Sequence, residues 1–431
     1  MSPSLTPIPR AAASHRTVRM MCTVSAAALL LTACGTGPEA GASPAESAAA
    51  EAASGGPGGT EPHGYVPGAE EAAEPQARLT AVAPGGEVTV TDPVSGTVTA
   101  VGTFPGTASA AGSDRFVFLG NPQQDAVVIV DSGGWTVPHG DHKHYYSAPP
   151  AVVGTITGEN PGAVVTNGGS TAVFFGDGTV TAVDHADLAE GTIAPTSFTV
   201  GAHRGAAVPF EGSYLVSRSD PGAELASGVG LYGADGKELP LPGADCAEPE
   251  GHAVTRTGVV FGCADGALLV TSDAGRITAA HLPYPAAGVP ADAGRAHSFD
   301  ARPGSTEVAA VAGTAGAWHL DTATGTWRLL ATDEPLAAAA AAGDGARVLA
   351  LGNSGSMLSL LVADGALEAS TAPLTGPSAD TPAPALEINP ERAYVLNEAG
   401  AVLEIDYADG LRTARELDTD VSARLLVETG R

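Results

Sequence analysis

Arg115-Phe116-Val117-Phe118-Leu119, a turn over Gly120-Asn121-Pro122-Gln123-Gln124-Asp125, then Ala126-Val127-Val128-Ile129-Val130: this pair of runs decides the fold class. Each run is short, β-branched or aromatic, and bounded by Gly, Pro, Asn and Asp, the signature of paired strands. The unit recurs. Arg78-Leu79-Thr80-Ala81-Val82 precedes Glu87-Val88-Thr89-Val90-Thr91, and Thr171-Ala172-Val173-Phe174-Phe175 and Ser213-Tyr214-Leu215-Val216-Ser217 follow. Further copies begin at Val259, Glu307, Arg347 and Arg392, and most starts lie about 40 to 49 residues apart. That period is the length of a four-stranded propeller blade.

Helical periodicity is hard to find beyond about residue 78, so the class is all-β and the expected architecture a single β-propeller. Eight starts favour eight blades, with seven as the alternative. The first unit lacks an evident innermost strand, and Ser422-Ala423-Arg424-Leu425-Leu426-Val427-Glu428 could supply it and close the ring. The step from Arg115 to Thr171 is longer than the rest and reads as an insertion between blades. Aromatic residues are 5% of the chain and no WD signature occurs, which argues against a WD40 type.

The inserted run is Val137-Pro138-His139-Gly140-Asp141-His142-Lys143-His144-Tyr145-Tyr146. Three of 11 histidines fall within it. Neutral imidazole is the commonest side-chain metal ligand, so the tract reads as a metal site. In an extended segment His142 and His144 point to one side, and His139 can fold back across Gly140. Asp141 is a candidate fourth ligand, or a carboxylate that orients an imidazole. Such donors suit zinc, and copper or nickel as well.

Three other histidines share one repeat position: His203, His252 and His297 each precede the second run of their unit. Side chains there would converge on one end of a central channel, making them further candidate ligands; the competing reading is that each caps a turn or bonds a neighbouring blade. His185 reads as a surface turn, and His281 and His319 as structural.

The first 33 residues carry Arg10, Arg16 and Arg19, then an apolar segment from Met20 to Leu31, and end in Leu31-Thr32-Ala33-Cys34. This is a signal peptide, too short for a lasting membrane span. Small residues before one Cys resemble the bacterial lipobox, so Cys34 is the expected lipidation site and the chain is expected outside the cytoplasm, anchored to the membrane; the alternative is a plain secretory signal with an incidental Cys. Residues 34–75 are Ala, Gly, Pro, Ser and Glu and are expected to form a disordered tether, in which His63 is the one candidate ligand. The domain is expected over 76–431. Cys22 leaves with the signal, so Cys246 and Cys263 are expected to form a disulfide. Thiolate metal ligation is the alternative, but the paired C-x-x-C pattern is missing. The formal net charge of −28 disfavours a nucleic-acid partner and favours cations.

With these residues in view, the chain resembles the AztD family of periplasmic zinc metallochaperones. The resemblance rests on His139-Gly140-Asp141-His142-Lys143-His144-Tyr145-Tyr146, supported by Glu250-Gly251-His252 and Ala296-His297-Ser298-Phe299-Asp300. It implies an exported propeller that binds Zn2+ through these histidines. The zinc would pass by direct contact to the solute-binding protein of a zinc ABC importer. The lipobox and the tail with a single His depart from the family pattern. The expectation is therefore a monomeric zinc chaperone without catalysis. Two alternatives stand beside it: a lipid-anchored propeller for protein–protein interaction, and a zinc hydrolase using Asp141 or Asp300. For a chaperone, acid should release the metal, because imidazole ligands must be deprotonated.

Overall fold

The computed structural model describes residues 66–140, 142–376 and 385–430. Among these, the strands form eight four-stranded antiparallel sheets and one three-stranded sheet. Each predicted run is the second strand of a blade: Arg78–Val82, Phe116–Asn121, Ser170–Phe175, Ser213–Arg218, Val259–Cys263, Glu307–Val311, Arg347–Gly352 and Ala393–Leu396. These runs lie deep in their sheets, so both faces are covered and the residues read as continuous apolar runs rather than alternating ones.

The blades close into a ring. Leu425–Thr429 pairs antiparallel with Arg78–Val82 and completes the first sheet. Eight apolar clusters of buried residues each join one blade to the next, the last joining Leu79 and Leu426 of blade 1 to Tyr394 and Val402 of blade 8. Burial between blades, rather than within them, thus holds the ring.

Three expectations need correction. The insertion does not lie between blades. The hairpin Gly134–His139/His142–Ser147 sits inside blade 2, between its third strand, Ala126–Asp131, and its fourth, Ala151–Thr157, which pair with each other. Runs of similar character flank the hairpin, so repeat spacing cannot distinguish the two positions. The expected disordered tether also reaches too far. Glu70–Ala72 is a strand paired with the hairpin, Glu71 opposite Tyr146 and Ala72 opposite Tyr145. Three residues carry no periodicity, and only the hairpin's open edge gives them partners. Finally, His185 is no surface turn. It starts the short helix His185–Ala189, and its Nε2 lies 2.7 Å from Thr171 Oγ1 while the ring stacks on Phe118.

Cys246 and Cys263 form a disulfide, with Cα atoms 5.2 Å apart. His281 is on an outermost strand, Arg276–Pro283, and bonds Asp265. His319 is buried in the third strand of blade 6. Cys34 and His63 lie outside the described residues.

Candidate metal centre

The hairpin has a two-residue turn, because His139 pairs directly with His142. Such turns need left-handed backbone, and Gly140 supplies it at φ 61°. The register then fixes the histidines. His139 and His142 are cross-strand partners, and His144 lies two residues on from His142, on the same face. Their ring centroids are 4.8 to 5.6 Å apart. One ligand atom from each lies within 4.8 Å of the others. His142 Nε2 and His144 Nε2 are 3.0 Å apart. Among the described residues this is the one group of three or more His, Cys, Asp or Glu gathered closely enough to share an ion. Asp141 lies outside the described residues.

Nitrogen donors around a metal at about 2.0–2.1 Å must sit about 3.4 Å apart in a tetrahedron. The His142–His144 pair is near that spacing and His139 lies within 4.8 Å of both, so the triad fits a zinc-sized ion in its donor chemistry and its reach. His139 and His142 are exposed, so the centre faces outward at the hairpin tip.

The base of the hairpin is built to hold the tip still. Trp135 and Tyr146 stack at 5.3 Å, and both are buried. The Arg115 guanidinium lies 3.8 Å over the Trp135 ring and is held from the other side by Asp131. Arg78 donates to Ser147 Oγ at 2.7 Å. A Trp135→Ala change should therefore cost about 3 kcal/mol of stability. It should also weaken metal uptake by loosening the three-histidine register; thermal melts and zinc titration on one sample would check both.

Sequence reading missed Glu71. Its Oε1 is 2.6 Å from His144 Nδ1. A carboxylate only accepts, so Nδ1–H donates, which in the neutral ring leaves the lone pair on Nε2, toward the other imidazoles. Metal-binding histidines commonly carry such a carboxylate on the far nitrogen. Nothing in Ala69-Glu70-Glu71-Ala72 signals this role, since the contact depends on a sheet partner about 70 residues away.

The chain matches no family model and no curated protein by sequence. Among solved structures, two of AztD from Citrobacter koseri, one of them the apo protein, align with TM-score 0.72. They are 19% and 20% identical, over 83% of this chain and 98% and 99% of theirs. The fold is an AztD-like β-propeller. Dihydro-heme d1 dehydrogenase NirN is more distant, with TM-score 0.52 and 15% identity over 83% of this chain and 76% of its own.

In the AztD-like ring, His203, His252 and His297 do reach one cavity of about 810 Å³, with Phe174, Phe261 and Glu250. Their ligand atoms are not gathered as those of the hairpin are. His203 is buried, with Nδ1–H donating to Gly201 O at 2.7 Å and Nε2 2.9 Å from Ser217 Oγ, so both ring nitrogens serve the fold. Glu250 is gripped by Arg295 and Arg204. Burial is the largest single influence and opposes its ionisation, but the Arg295 hydrogen bond and the charges of Arg295, His297 and Arg204 together outweigh it and hold the carboxyl below its usual range. Desolvation pushes His252 down to about 4.

The His252 shift has a pH consequence. An unfolded His takes a proton near pH 6.5, which the folded ring resists until about 4. This contribution is complete above pH 6.5 and is lost as pH falls toward 4. With the ring partly exposed, it should be on the order of 2 kcal/mol. Urea midpoints of wild type and His252→Gln at pH 7.5 and 4.5 would show it as a smaller acid loss in the variant.

Proposed function

We propose that the protein is an extracytoplasmic zinc-binding metallochaperone that delivers zinc to the solute-binding protein of a zinc ABC importer. The observation that carries the reading is the triad of His139, His142 and His144, gathered on one hairpin with His139 and His142 exposed at its tip. A closed structural zinc site has four protein ligands and no way out. An open three-imidazole centre leaves a position at which an incoming protein ligand can attach before the old ones leave. The AztD-like fold agrees with this role, and the acidic chain draws cations toward it.

In this reading His139, His142 and His144 hold the ion, and Asp141, from the same run of sequence, serves as an orienting carboxylate rather than a fourth ligand. His252 and His297 line a second, weaker position in the channel cavity, with His203 as its scaffold. Cys34 carries the lipid that keeps the chain at the membrane, and one copy of the chain suffices. No helix among the described residues is long and apolar enough to cross a membrane.

The test is metal content by mass spectrometry on full-length protein purified without a metal-affinity tag, followed by transfer to a zinc-importer solute-binding protein. About one tightly held zinc per chain, passed on faster than it dissociates into a chelator, is the expected result. No bound zinc and no tight uptake would sink the proposal and leave a propeller that binds another macromolecule.

A further inference from the structure

We propose that Glu71 is a positioning residue for the metal centre, and that the strand Glu70–Ala72 thereby makes the segment before the propeller part of the site. The inference rests on the metal-handling reading above.

Three observations converge. The strand pairs with the ligand-bearing edge of the hairpin, His142–Ser147. In that register the Glu71 carboxylate reaches His144 Nδ1 at 2.6 Å. Glu71 does not join the gathered ligand atoms. Its action is on the nitrogen that faces away from the ion, where it can select the tautomer and hold the ring plane. Left in water, a neutral imidazole can carry its proton on either nitrogen, and a ring protonated on Nε2 presents no lone pair to the ion.

The magnitudes separate this role from a structural one. The Glu71 side chain is 48% exposed, so its hydrogen bond to the ring contributes little to folding. Loss of a carboxylate that orients a ligating imidazole typically costs 10–100-fold in metal affinity. Affinity should move while stability stays put. The strand is also short, with only three paired residues, so it can leave the hairpin without disturbing a blade. Anything that draws it away removes the carboxylate and loosens the ion in the same act.

The experiment uses the full-length chain, stripped of metal and titrated with zinc against a chromophoric chelator, for wild type, Glu71→Ala and Glu71→Gln. Ring-nitrogen NMR of His144 in the metal-free state reports the tautomer. Glu71→Ala should lower zinc affinity about 10–100-fold, shift the His144 ring from the Nδ1–H form to a mixture, and leave the melting temperature of the metal-free protein unchanged. Glu71→Gln keeps an oxygen that accepts from Nδ1–H and should recover most of the affinity and the ring signature. Wild-type affinity in Glu71→Ala would overturn the inference; so would an affinity loss that tracks a loss of stability with the ring signature unmoved. If wild type itself takes up no zinc, the metal-handling reading fails, and the ring signature still decides whether Glu71 orients His144.

Discussion

A His142→Ala, His144→Ala protein is expected to lose zinc affinity by at least about 10³-fold while melting only slightly below the metal-free wild type. The two residues supply two of the three gathered imidazoles. Removing a group that only orients a ligand already costs 10–100-fold, and here two ligands go at once. Their side chains sit at the outward end of a hairpin anchored at its base by Trp135, Tyr146 and Arg115. His142 is exposed, but the His144 side chain is only 11% exposed and bonds Glu71, so its truncation should cost about 1 kcal/mol of stability, small beside the loss of affinity. Competition titration against a chelator and a thermal melt would check the pair of outcomes. Retained affinity would move the site to another part of the molecule, with the His252 and His297 cavity next to be tested.

The second large effect concerns the ring. A chain ending at Arg424 should melt about 8 °C lower and aggregate on heating. It loses Leu425–Thr429, in which Leu426 and Val427 are buried and whose backbone pairs along the whole of Arg78–Val82. Burial of those two side chains is worth about 4 kcal/mol, and for a domain of this size each kcal/mol moves the midpoint by about 2 °C. The strand Arg78–Val82 is left with an open edge, which favours pairing between molecules. Val427→Asp tests the same contact without shortening the chain, by placing a charge between blades 1 and 2. Unchanged melting in both variants would mean that the eight inter-blade clusters hold the ring without its closing strand.

Much of this architecture was legible because the second strands of the blades are buried on both faces. Arg347–Gly352 and Val259–Cys263 are apolar enough to stand out without an alignment, and their spacing gives the blade length. The closing role of Leu425–Thr429 followed from a missing strand in the first unit. Innermost strands were harder to see. His252–Val254 and Phe299–Asp300 are only a few residues long and line the channel, so nothing in their composition marks them. The three hairpin histidines were grouped correctly because a two-residue turn and a period of two leave little choice of face. Glu71 was invisible for the opposite reason. Its role comes from sheet register with a distant segment, and its neighbours have the composition of a linker. His203 was placed at the right repeat position, but only its contacts with Gly201 and Ser217 reveal that its ring nitrogens are occupied by the fold.

The hairpin enters blade 2 after the third strand and leaves before the fourth, and those two strands still pair with each other through Ala126–Asp131 and Ala151–Thr157. The histidine-bearing tip and the ring are thus separate modules joined at one rim position. Side chains can be exchanged, added or moved along the hairpin with little strain reaching the blades, so the donor set at the tip can drift over evolutionary time while the propeller stays as it is. The same junction is a natural grafting point: a hairpin of different ligand spacing, ending on the same Trp135–Tyr146 pair, would re-equip the scaffold for another cation.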